Sequence, residues 1–161
     1  MRSMGTLFAI IFASAAWAQS EAQSWGQSGD WAILVDPSNG NGCLMRKDFD
    51  DGIRIEFGFV PDREGGFFAA YSQDWTQIDA GTTGTVRFIT DEAKFAGDVD
   101  MVLKGDLYGG WAFFNNPALV VEIAQRRTLT VIGPKGGTFD VNLDGTARAI
   151  TMMKDCQQAQ A

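Results

Sequence analysis

From Ile53 to Phe59 the chain reads IRIEFGF. Ile53, Ile55, Phe57 and Phe59 fall on alternate positions, with Arg54 and Glu56 between them. A period of two puts the four apolar side chains on one face and the two charges on the other, which is the geometry of a half-buried β-strand. Such a strand is stable only with hydrogen-bonded neighbours and an apolar layer beneath it, so this heptapeptide commits the chain to a sheet. Its upstream neighbours are legible. DWAILVD supplies a strand over Trp31–Val35, DPSNGNG is dense in turn formers, and CLMRKDF returns as a second strand carrying Cys43. DDG then turns into the alternating strand, and the three read as an antiparallel meander.

The remaining chain keeps the same rhythm. PDREGG turns into FFAAYS, a fourth strand, and TVRFIT is a fifth. Between them QDWTQIDAGTTG is loop-like, with Trp75 and Ile78 tucked inward. Apolar residues at 95, 99, 101 and 103 predict either one long strand or a hairpin turning at Gly97-Asp98. WAFF is a short strand or buried run. In NNPALVVEIAQRR the period changes. Asn116 suits an N-cap, Pro117 the first helical position, and Leu119, Val120, Ile123 and Ala124 share a face. A helix is predicted there, although the Val pair also fits a strand. TLTVIG and TFDVNL flank the PKGG turn, and a closing helix follows with Thr146 as its N-cap. Ala149, Met153 and Cys156 then lie on one helical face. The expected fold is mainly β: an antiparallel sandwich or barrel of about seven to nine short strands, with one internal helix and a C-terminal helix.

The first residues carry Arg2, an apolar run over Leu7–Ala16, and small residues at Ala16 and Ala18 around a cleavage point. Residues 1–18 therefore read as a secretory signal peptide, with an apolar run too short to serve as a membrane anchor. Residues 19–29 read as a flexible lead-in, with Trp25 packing back on the body. Residues 30–158 read as a single β-rich domain large enough to bury a core. No later segment is long and apolar enough to span a membrane. An exported chain with only two cysteines is expected to pair them, Cys43 with Cys156, buried free thiols being the alternative. A loop of about 110 residues closed in this way is stabilised by about 4.7 kcal/mol through chain entropy.

The chemistry available is narrow. There is no histidine among the 161 residues, which removes serine–histidine and cysteine–histidine catalysis as well as histidine-ligated zinc or haem. Two distant cysteines cannot make a four-cysteine metal site. A net charge of −7 opposes binding to nucleic acid or anionic lipid through bulk charge. The acids in DFDDG (Asp48, Asp50, Asp51) lack the order of a calcium loop and read as a solvated turn. Asp36, Asn39 and Asn41 read as a turn too. The glycines of GPKGG lie between strands rather than before a helix, so they are a hairpin turn and not a phosphate cradle. No catalytic residue, metal ligand or cofactor is assigned. Trp31, Tyr71, Trp75, Tyr108, Trp111, Phe113 and Phe114 supply aromatic surface for a sugar or peptide, though sheet-borne aromatics are more often core. Trp75, Tyr71 and Trp111 are the candidate binding surface.

Three functional readings follow. The first is a noncatalytic periplasmic or secreted module that binds a protein, peptide or glycan partner, with its oligomeric state left open. The second is a carboxylate-dependent hydrolase of glycan or peptide drawing on Asp48, Asp50, Asp51, Asp74 or Asp79, which requires two of them to converge about 5–9.5 Å apart. The third is a self-associating structural protein of the envelope. The DW strand near the mature start, the cysteine in the second strand and the ending FDVNLDGTARAITMMKDC together resemble the small exported alphaproteobacterial proteins similar to invasion-associated locus B. The resemblance spans Trp31 to Cys156. It implies a compact periplasmic β-rich domain and brings no catalytic residues to carry over.

Overall fold

A computed structural model describes residues 21–161, so the expected signal peptide lies outside the described residues. Ten strands and two helices follow in chain order: β1 (Gln23–Ser28), β2 (Trp31–Asp36), β3 (Gly42–Asp48), β4 (Arg54–Val60), β5 (Gly65–Ser72), β6 (Thr83–Ile89), β7 (Lys94–Lys104), β8 (Leu107–Phe114), α1 (Pro117–Ala124), β9 (Thr128–Ile132), β10 (Thr138–Asn142) and α2 (Thr146–Ala159). The mainly β architecture with an internal and a C-terminal helix is present. All ten strands belong to one antiparallel sheet in the order β1-β2-β3-β4-β5-β8-β7-β6-β9-β10. They form neither two separately paired sheets nor a closed barrel, since β1 and β10 stand at opposite edges. The hydrogen-bond ladder is continuous because β5 pairs with β8 in full register, from Gly66 opposite Phe114 to Ser72 opposite Tyr108.

The sheet curls around its own core. Phe68 on β5 and Phe88 on β6 have two strands, β8 and β7, between them in the ladder, yet their rings meet at 5.2 Å. Phe88 also meets Phe114 of β8 at 5.7 Å. The inner face gathers Trp31, Ile33, Met45, Phe57, Val131 and Val141 into the same cluster. The alternating positions read from sequence all belong here: Ile55 and Phe57 are fully buried, and Ile53 and Phe59 pack at the margin. α2 closes this face over β1, β2 and β3, while α1 packs on β5 and touches α2. The Asn116 side chain accepts from the Ala118 amide at 3.0 Å, capping α1 as its sequence predicts.

Three local expectations change. Residues 23–28, expected within a flexible lead-in, form the edge strand β1 and pair with β2 through a tight reversal at Gly29, whose φ is +60°. A β-bulge in β1 at Ser24–Gly26 turns Trp25 out to 41% exposure instead of packing it on the body. Thr146 is the first residue of α2 rather than its cap. Gly145 takes that position with φ +84°, and the Thr146 hydroxyl donates to the Leu143 carbonyl at 2.6 Å, with the Ala124 carbonyl also in reach. The disulfide expected from the cysteine count joins Cys43 of β3 to Cys156 of α2, with both residues fully buried. No helix among the described residues is long and apolar enough to cross a membrane.

Candidate binding surface

The sheet has a second apolar layer on its outer face, away from the helices. Leu34, Leu44, Val60, Phe67, Ala69 and Tyr71 are buried there, with Trp111 and Phe113 half-buried beside them. No helix among the described residues covers them. They cover each other, because large rings lie flat across glycines of neighbouring strands. A Cβ on Gly58 would stand 2.4 Å from the Phe67 ring, one on Gly109 2.5 Å from Tyr71, and one on Gly65 2.4 Å from Phe113. β5 is consequently buried along its whole length, on both faces. That explains why GGFFAAYS reads as a continuous apolar run rather than an alternating one.

A row of rings runs from the buried Phe67 to the half-buried Trp111 and Phe113 and ends in a cation. Phe67 and Trp111 lie 5.5 Å apart at an interplanar angle of 27°, and Trp111 and Phe113 6.1 Å apart at 17°. The short turn Pro61–Arg63 carries Arg63 over the row, its guanidinium 3.6 Å from the Phe113 centroid and 5.8 Å from that of Trp111. Such a cation over a π face contributes about 0.5–1 kcal/mol when exposed, and it fixes the guanidinium over the rings.

Next to the rings sits a charged cluster. Glu56 is 1% exposed although it points away from the core. Its carboxylate accepts from Arg46 Nε at 2.7 Å and from Lys104 Nζ at 3.0 and 3.1 Å. Two cations for one buried carboxylate compensate its lost hydration. The same Lys104 ammonium lies 5.3 Å from the Tyr71 ring. Burial first, and then the Glu56 charge, hold the Tyr71 hydroxyl protonated well above the usual phenol range. The outer face thus sets Arg46, Lys104 and Arg63 beside its aromatic area, the first two of them around the buried Glu56.

Of the three residues singled out from sequence, the fold brings Tyr71 and Trp111 onto this one face and leaves Trp75 elsewhere. Trp75 stands in the loop between β5 and β6 and packs at 5.3 Å on Phe139 of β10, at the margin of the inner core. Trp31 and Phe114 are core residues. Sequence reading missed Arg63, Arg46 and Lys104. Glu56 and Lys104 are 48 residues apart, so no local pattern announces their pairing. The candidate hydrolytic carboxylates lie in two separate places, around the end of β3 and in the loop between β5 and β6. Asp48 is bound by Arg54 at 2.6 Å, and Asp51 accepts from the Ile53 amide at the β3–β4 turn, where Asp50 is exposed. Asp74 and Asp79 are exposed in the β5–β6 loop. Among the described residues no group of three or more acids and cysteines is arranged to hold a metal ion.

No family model matches the sequence, and no curated protein matches it. Among solved structures, the chain is similar to the crystal structure of invasion associated protein B from Bartonella henselae, with a TM-score of 0.56 over 86% of this chain and 99% of that one. Identity between the two is 14%, so the shared property is the fold. The resemblance read from the DW strand and the cysteine-ended tail is therefore matched in three dimensions.

Proposed function

We propose that the protein is a noncatalytic module of the periplasm or extracellular space that engages a protein, peptide or glycan partner through its outer aromatic face. The observation carrying this reading is the row Phe67–Trp111–Phe113 with Arg63 laid over it. Aromatic and arginine side chains concentrate binding energy in protein interfaces, and flat rings also stack on sugar faces. The buried disulfide fits an oxidising compartment, where such bonds persist. Similarity in fold to an invasion associated protein agrees with a role outside metabolism.

The test compares the protein with its Trp111→Ala and Arg63→Ala variants, immobilised and exposed to envelope extract of the producing bacterium and to a glycan panel. The reading expects a defined partner retained by the parent and weakened at least tenfold by each variant, with melting temperatures unchanged. A partner bound equally by all three forms would reject this face as the site.

A further inference from the structure

The curled sheet leaves an apolar space inside it that opens at one end. A cavity of about 80 Å3 lies among β5, β6, β7 and β8, with Trp75, Ile78, Pro134 and Phe139 around its mouth. Its origin is a set of small residues on the inner face. Ala70 pairs with Gly110, and Ala112 stands opposite Phe68. Val99 packs against Gly110, where a Cβ would fall 2.7 Å from it, and the space left beside Ala70 and Ala112 is bounded by Val86 and Val131. The lining contains no polar side chain. The two connections at the mouth are tied by Lys135, whose ammonium donates to the Gln77 carbonyl at 3.3 Å.

We infer that this cavity is a binding site for a small uncharged aliphatic group of about four carbons, entering past Trp75. Size and chemistry carry the assignment. An apolar cavity of about 150 Å3 stays dry and takes up benzene, so roughly half that volume suits three or four carbons. An all-apolar lining offers nothing to a buried polar atom, which would lose its hydration without return. Charge at the mouth argues against a fatty acid. Asp74 and Asp79 stand on the loop that carries Trp75 and Ile78, with Lys135 on the other connection. The same alkyl group can arrive on a free small molecule or as the leucine side chain of a peptide. The site is separate from the outer aromatic face, so its fate does not depend on that proposal.

The experiment titrates the protein with the straight-chain alcohols from ethanol to 1-hexanol, following backbone amide shifts and tryptophan fluorescence. Saturable binding is expected, with affinity rising about fourfold per methylene, the equivalent of about 0.8 kcal/mol, and levelling off near butanol as the cavity fills. Shifts should cluster at Val99, Ala112 and Phe139. Ala112→Leu should weaken binding at least tenfold, and Val99→Phe is the second filling variant should the first not fold. Butanol competing with N-acetyl-leucine amide would assign the site to a peptide side chain; alcohols binding without such competition would assign it to free small molecules. A non-saturating response, shifts scattered over the outer face, affinity unchanged in a folded filling variant, or hexanoate binding as well as 1-hexanol would each overturn the inference.

Discussion

Reducing the Cys43–Cys156 bond is the perturbation whose size follows most directly from the fold. The bond joins residues 113 apart, tying the C-terminal helix to the second strand of the meander. Constraining a loop of that length in the unfolded chain stabilises the native state by about 4.8 kcal/mol in the chain-entropy treatment. Comparing oxidised and reduced forms of the same protein comes nearest to isolating this effect, because neither side chain is truncated and no buried hydroxyl is introduced. With a urea dependence of roughly 2 kcal/mol per molar for a chain of this size, the unfolding midpoint should fall by about 2.4 M on reduction. α2 should respond ahead of the sheet. Its other attachments include the buried side chains of Ala149, Ile150 and Met153, the Thr146 hydroxyl on the Leu143 and Ala124 carbonyls, and one bond from the Cys43 amide to the Gln157 side chain at 2.8 Å. Amides of residues 152–157 should therefore lose exchange protection before those of β4. Midpoints within 0.5 M of each other, or equal protection of α2 in both forms, would refute the view of this bond as the clasp of the fold.

Three further perturbations probe the outer face. Glu56→Gln should cost about 1–3 kcal/mol in urea unfolding, since it breaks two charge-assisted contacts but leaves Arg46 and Lys104 free to turn toward water. Tyr71→Phe should change the pH dependence only in the alkaline range. The folded-state pKa of Tyr71 is raised, so below about pH 10 both states keep the proton and the hydroxyl adds no slope; above it the unfolded chain ionises and stability falls by roughly 1.4 kcal/mol per pH unit. The variant should lack that increment, and parallel melting curves for both proteins from pH 9 to 11.5 would contradict it. Gly58→Ala should destabilise by about 1–3 kcal/mol, because its Cβ would fall 2.4 Å from the Phe67 ring and 2.8 Å from Leu44 Cβ; a neutral effect in thermal unfolding would show that the rings are not held flat.

What sequence could reveal depended on whether the relevant interaction was local. The period of β4 is visible because the sheet imposes it residue by residue, and the α1 cap because Asn116 acts two residues away. The edge strand β1 leaves no such trace. QSWGQS has no alternation, and its place is set by the turn at Gly29 and by α2, whose Met152 sulfur lies where a Cβ on Gly26 would come within 3.3 Å. Thr146 shows the same limit from the other side. Its chemistry suits a cap, but its hydroxyl is held by carbonyls at Leu143 and Ala124, the latter 22 residues upstream. The candidate surface was half legible. Tyr71 and Trp111 were picked as aromatics, yet nothing in their neighbourhood says that β8 pairs with β5 and brings them together, or that Trp75 would turn toward Phe139.

The pairing of glycines with rings accounts for features that look unrelated in the sequence. An open sheet of ten strands has two faces to satisfy, and here both helices go to one of them. The other must shield its apolar side chains with what the strands themselves carry. Rings that stood upright would expose their faces. Rings that lie down need empty space on the next strand, which only glycine provides at Gly58, Gly65 and Gly109. Glycine weakens a strand, and a stretch such as GG within β8 would ordinarily argue against one. Its cost is offset when an aromatic neighbour replaces the missing side chain, as Tyr71 does over Gly109. The arrangement closes the outer layer only as far as Phe67 and Tyr71. At Trp111 and Phe113 the row ends half-buried, with Arg63 as its lid. The half-buried aromatic surface at Trp111 and Phe113 is therefore the unfinished margin of a packing scheme, and its position is fixed by where the glycines stop.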